Sequence, residues 1–130
     1  MVINAPIKHK VELGPAGLRA FFRVAQQWEL STEEQIKLLN VPPSTFHGWK
    51  ARPAKARLRH DTLERISYIL GIYKNLHILL SNKKSADSWI RLPNKAALFA
   101  GHAAINRMTS ENVGDLFAVR SYLDAQVRGY

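Results

Sequence analysis

Residues 31–50, STEEQIKLLNVPPSTFHGWK, read as two short helices joined by a tight turn. Ser31 followed by Glu34 is a capping-box pattern, in which a hydroxyl and a carboxylate each satisfy a backbone N–H left open by the first turn. The helix starting there is expected to bury Ile36 and Leu39 and to stop near Asn40, because Pro42 and Pro43 cannot continue it. Ser44 then starts a second helix, STFHGWK, which ends before Pro53. A pair of this kind fits the major groove of DNA when the first helix packs on the body and the second faces outward. Ile36, Leu39, Val41, Phe46 and Trp49 supply the apolar side, leaving Ser44, Thr45, His47 and Lys50 outward. Hydroxyls and a neutral imidazole hydrogen-bond base edges or phosphates, and an ammonium reaches a guanine edge or a phosphate. The plain alternative is an αα-hairpin with a polar outer face, and NVPPS lacks the glycine common in such turns.

The flank of this pair favours nucleic acid. Lys50, Arg52, Lys55, Arg57 and Arg59 fall within ten residues that contain no acid, interrupted by Pro53. An extended basic loop of this kind follows a sugar-phosphate backbone, each neutralised phosphate adding to the salt dependence of binding. Lys8 and Lys10 are candidate supplementary contacts. The whole chain carries a formal charge of +9. Residues 1–60 hold ten Lys/Arg against four Asp/Glu, net +6, and residues 61–130 hold nine against six, net +3. The excess therefore lies in the half containing the helix pair, which points to a polyanionic partner there.

Composition excludes several chemistries. The absence of cysteine removes disulfides, thiolate zinc sites and a cysteine nucleophile. The five histidines, at positions 9, 47, 60, 77 and 102, never recur at metal-ligand spacing, and no HExxH or glycine-rich phosphate loop is present. No catalytic residue, metal site or cofactor is expected. His77 reads as a packing or half-exposed residue of a long helix, and Trp28, Trp49 and Trp89 as core anchors. No apolar run reaches membrane-spanning length and the N-terminal residues lack a secretory apolar core, so the expectation is a soluble cytoplasmic protein, nucleoid-associated when bound to DNA.

Periodicity predicts an all-α chain in three stretches: an arm over residues 1–13, a helix-turn-helix region with a long helix over 14–80, and a second helical module over 81–130. After Gly14-Pro15 a helix is predicted from Ala16 to Trp28, with Leu18, Phe21, Phe22, Ala25 and Trp28 on one face. Asp61 reads as the N-cap of a helix from Thr62 to about Leu80, in which Gly71 marks close packing or a break. SNKKSADS, 81–88, reads as a loop feeding a short helix around Trp89, and 93–101 as a turn-rich connector with Asn94 capping the next segment. Two further helices are expected over 102–109 and 112–128. The last offers Leu116, Phe117, Val119, Tyr122, Leu123 and Val127, more apolar surface than one packed face needs.

The second module contains an ordered set: Trp89-Ile90, Pro93-Asn94, Phe99-x-Gly101, Ala104-Ile105-x-x-Met108, Val113 and Tyr122-Leu123. In that order the chain resembles the Xre/MbcA/ParS antitoxin family over about residues 14–130. It departs at His102-Ala103-Ala104, where relatives often carry a polar residue and then proline. The resemblance implies a bacterial, usually dimeric, all-α protein without catalytic activity of its own. It implies a RES-domain toxin that consumes NAD as partner, neutralised by occlusion of its substrate pocket, and repression of the shared operon through operator DNA. Trp89, Pro93, Asn94, Phe99, Gly101, Tyr122, Arg128 and Tyr130 become the expected toxin contacts. The tail Arg128-Gly129-Tyr130 then either enters a dinucleotide pocket or frays as termini do. Competing readings are a stand-alone regulator with a protein- or ligand-binding module, a helical enzyme, which needs a clustered polar pocket, and an RNA binder, which needs an aromatic-basic stacking surface.

Overall fold

The computed structural model describes residues 7–129, with side chains from residue 14 onward. Residues 1–6 of the expected arm, the side chains of Lys8 and Lys10, and Tyr130 lie outside that range. Seven α-helices make up the described chain: α1 Ile7–Gln27, α2 Thr32–Leu39, α3 Pro43–Ala51, α4 His60–Leu79, α5 Lys83–Ser88, α6 Ala104–Met108 and α7 Val113–Arg128. The described residues contain no strand, only an isolated bridge between Pro93 and Ala103. None of the described helices is long and apolar enough to cross a membrane.

The long α4 is the axis, with α1 and α7 packed along it and α2 against its N-terminal half. Ile66, Ile69, Ile72 and Leu76 of α4 are buried together with Leu18 and Phe21 of α1, Trp28 just past its end, and Leu116, Val119 and Leu123 of α7 in one core. Burying a core side chain of this size contributes about 1.5–3 kcal/mol, so α4 carries much of the fold. Gly71 answers to close packing rather than a break. A Cβ there would overlap the guanidinium of Arg120, which crosses from α7 to donate to the Ser67 carbonyl at 3.3 Å.

Several boundaries differ from the sequence reading. Helix α1 begins at Ile7 instead of Ala16 and runs through Pro15, which is buried beside Gly14. Leu58 packs 3.5 Å from where a Gly14 Cβ would stand; proline costs the helix one backbone bond, which tertiary packing offsets. Helix α3 begins with Pro43 in its first turn, a position where the missing N–H is unneeded, so Ser44 is inside the helix. Asp61 lies in the first turn of α4 and not at its cap, which is Arg59. The segment 81–88 is not a loop: Asn82 accepts from the Ser85 N–H and caps α5, and a single 3-10 turn, Trp89–Arg91, continues it. Helix α6 is shorter than the predicted 102–109. In α2, Gln35, Leu38 and Leu39 are buried while Ile36 is half-buried at the edge. Trp28 is a core anchor, whereas Trp49 and Trp89 are half-buried.

Candidate nucleic-acid and partner interfaces

The capping box closes as the spacing predicts. Ser31 Oγ accepts from the Glu34 N–H at 3.0 Å and Glu34 Oε1 accepts from the Ser31 N–H at 2.9 Å. Asn40 ends α2 in the left-handed region, its N–H donating to the carbonyls of Ile36 and Lys37, and α3 begins three residues later at Pro43.

Phe46 is buried under α3 and Trp49 half-buried beside it, which fixes the rotation of the helix. At 3.6 residues per turn the opposite face then carries Ser44, His47, Gly48 and Ala51, all exposed. Thr45, half-buried, and Lys50, exposed, stand on the two flanks. Lys50 is drawn back over the Phe22 ring, its Nζ 4.4 Å from the ring centre, and the His47 ring meets Phe46 edge-on at 5.4 Å. Gly48 and Ala51 are absent from the residues singled out by sequence, although counting four and seven from Ser44 brings them to the same stripe.

Arg52 ends α3, and a 3-10 turn, Pro53–Lys55, precedes an extended run. In that run Ala56 is buried and Leu58 half-buried, while Arg57 and Arg59, like Lys55 at the end of the turn, are exposed. An extended backbone sends alternate side chains to opposite sides. Arg57 and Arg59 therefore share one side at a spacing of roughly 6–7 Å, opposite Ala56 and Leu58, with Lys55 at the end of the turn before them. Among the described residues, Lys50, Arg52, Lys55, Arg57 and Arg59 have no carboxylate within ion-pair distance.

The second cluster is aromatic. The Phe99 ring meets Trp89 edge-on at 5.7 Å and Tyr122 at 5.4 Å. Phe99, one of the expected toxin contacts, is 2% exposed in the free protein and stands between the two half-buried rings. Asn94 is a half-buried clip. Its N–H donates to the His102 carbonyl at 3.1 Å, its carbonyl accepts from Gly101 at 2.8 Å, and its side chain accepts from the Ala96 N–H at 2.9 Å. Gly101, at φ +87, closes the turn in a conformation that penalises a Cβ. Pro93, Gly101 and Arg128 are exposed, as is Leu92 at 54%. Beside the rings runs a groove of about 260 Å³ lined by Leu76, Leu79, Leu80, Trp89, Tyr122, Leu123 and Gln126. Leu79 and Val127, at 37% and 38% exposure, leave apolar surface open in the same module.

A family model for the antitoxin Xre-like helix-turn-helix domain matches residues 9–71, the stretch containing α2 and α3. A second, for the antitoxin Xre/MbcA/ParS C-terminal toxin-binding domain, matches residues 75–129. The chain belongs to the Xre/MbcA/ParS-type antitoxins. It is an antitoxin with a DNA-binding helix-turn-helix and a toxin-binding module. This antitoxin is similar to an uncharacterised protein, y4oB, of Sinorhizobium fredii (strain NBRC 101917 / NGR234), 49% identical over 116 residues that span 88% of this chain and 87% of that protein. No solved structure matches the antitoxin.

Proposed function

We propose that this antitoxin represses its own operon through α3 and the basic run after it, and neutralises a RES-domain, NAD-consuming toxin by covering the toxin's substrate pocket. What carries the DNA half of this reading is the outward stripe Ser44, His47, Gly48 and Ala51 followed at once by five cations without acidic partners among the described residues. A small polar stripe enters a groove and the cations hold phosphates. The toxin half is supported by an apolar groove flanked by Trp89 and Tyr122 within the module that matches toxin-binding domains. Leu92, Pro93, Gly101 and Arg128 extend the exposed rim on which a partner would rest. In this reading the antitoxin catalyses nothing, works in the bacterial cytoplasm and binds DNA as a homodimer, since one helix-turn-helix spans a half-site.

The deciding experiment co-expresses the antitoxin with the product of the adjoining reading frame and follows NAD. The expected result is NAD loss with that product alone, protection by the full antitoxin, and a stable complex of the two. Removing residues 128–130 should weaken protection more than complex formation if the tail enters the pocket. Protection undiminished by that truncation assigns occlusion to the helices alone. A toxin-free, NAD-neutral neighbour with no complex would favour a stand-alone regulator instead. Light scattering of the free antitoxin tests the dimer.

A further inference from the structure

Helix α2 runs into α3 through the short turn at residues 40–42, and an arginine holds each of its ends. At the N-terminal end, Arg91 forks onto Glu34, with Nη1 donating to Oε2 at 3.0 Å and Nη2 to Oε1 at 2.8 Å. The same Nη2 reaches the carbonyls of Trp28 and Glu29 at 3.3 and 3.1 Å, just past the end of α1. Glu34 is at once the capping-box carboxylate and the target of the fork, so one side chain ties the start of α2 to residue 91. At the C-terminal end, Arg65 of α4, 2% exposed, donates to the Leu38 carbonyl at 3.3 Å and, through its other nitrogen, to the Glu111 carbonyl at 2.5 Å. Arg91 and Glu111 both lie in the module that matches toxin-binding domains. The helix that orients the DNA-facing helix is therefore fixed at both ends to the other half of the molecule.

We propose that Arg91 is a positioning residue for operator recognition: from the toxin-binding module, and without touching DNA, it sets the seat of α2 and hence the angle at which α3 presents its outward stripe. This rests on the reading of α3 as the DNA-facing helix. A forked guanidinium–carboxylate contact fixes direction as well as distance, which a point charge does not. Arg91 ends the 3-10 turn that begins at Trp89 and directly precedes Leu92 and Pro93, the proposed toxin rim.

The test uses the full-length protein with Arg91→Gln, Glu34→Gln and the double variant. Glutamine at position 34 can still complete a capping box, so the fork is removed with little change in helix capping. Binding is measured to a duplex from the region upstream of its own gene and to an unrelated duplex, over a salt series, with circular dichroism to show retained helix. The expected loss on the upstream duplex is about tenfold for each variant, the size of one compromised base contact. The double variant should be no worse than either single, since the three share one interaction. Affinity for the unrelated duplex and the slope against salt should stay at wild-type values, and Arg91→Lys should recover part of the loss. Unchanged selectivity in both single variants overturns the proposal. A salt slope shallower by about 1 in Arg91→Gln also overturns it, because Arg91 would then be a phosphate contact. Wild-type protein that does not prefer the upstream duplex overturns both this proposal and the functional reading beneath it.

Discussion

Gly48 is an expensive choice for the middle of a helix, costing about 1 kcal/mol relative to alanine. Nothing inside the molecule requires it, for a Cβ at that position would meet no atom within 4 Å. Its bare backbone instead faces outward between Ser44 and Ala51, where it allows close approach of an external surface. Gly48→Ala is therefore expected to raise the melting temperature while weakening binding to the upstream duplex, and a variant that gains on both counts would remove this role. Glu34 gives a second prediction at the same scale. The Arg91 guanidinium hydrogen-bonded to it holds its carboxyl down to about 2, from an ordinary 4.5, against the opposing effect of partial burial. A pKa depressed by folding contributes stability that is complete above 4.5 and is lost as pH falls through about 2. With a partly exposed pair, at 38% and 25%, that contribution is about 1 kcal/mol or less. Melting curves of wild type and Glu34→Gln from neutral pH downward should differ most at neutral pH and converge towards the acid end; a constant gap would mean that the ion pair is not its source.

Among the elements, α2 is legible in the sequence because its signals are local: Ser31, Glu34 and Asn40 each act within four residues along the chain. Helix α3 is legible in place and, through Phe46 and Trp49 turning inward, largely in rotation. What the sequence reading misses is that Thr45 is half-buried on a flank and that Gly48 and Ala51 join the outward stripe. Helix α1 reads too short because Pro15 is ordinarily a boundary, and only the packing of Gly14 on Leu58 reveals why the helix passes through it. Helix α5 escapes because Ala86 is its one buried residue in an otherwise polar string. The arginine anchors are invisible for a different reason, their partners standing 27 to 63 residues away in sequence. The aromatic trio joins three separated segments in the same manner, and its central ring is its weak point. Phe99→Ala should destabilise the protein by about 3–5 kcal/mol, the usual cost of emptying a buried phenylalanine site. Phe99→Leu should cost less, and toxin affinity should track the order wild type, leucine, alanine while binding to unrelated DNA stays level. Toxin affinity indifferent to both substitutions would detach Trp89 and Tyr122 from the partner surface.

For the molecule as a whole, charge and grease are segregated: the net charge of residues 1–60 is +6, ten cations less four acids, whereas the apolar groove belongs to the second half. Association with DNA should therefore be strongly salt-dependent, and association with toxin weakly so. Replacing Arg52, Lys55 and Arg57 together by alanine should weaken binding to every duplex and reduce the slope of log K against log salt by up to about 3, roughly 0.9 for each phosphate no longer neutralised. An unchanged slope would take the run out of the interface. The three tryptophans are distributed over the same plan, Trp28 sealed in the core, Trp49 on the inner side of α3 and Trp89 at the groove. Each indole is thus a built-in optical probe of a different region, and single-tryptophan versions of the protein would let emission colour and quenching report folding, operator engagement and toxin capture separately, in one cuvette and without an added dye.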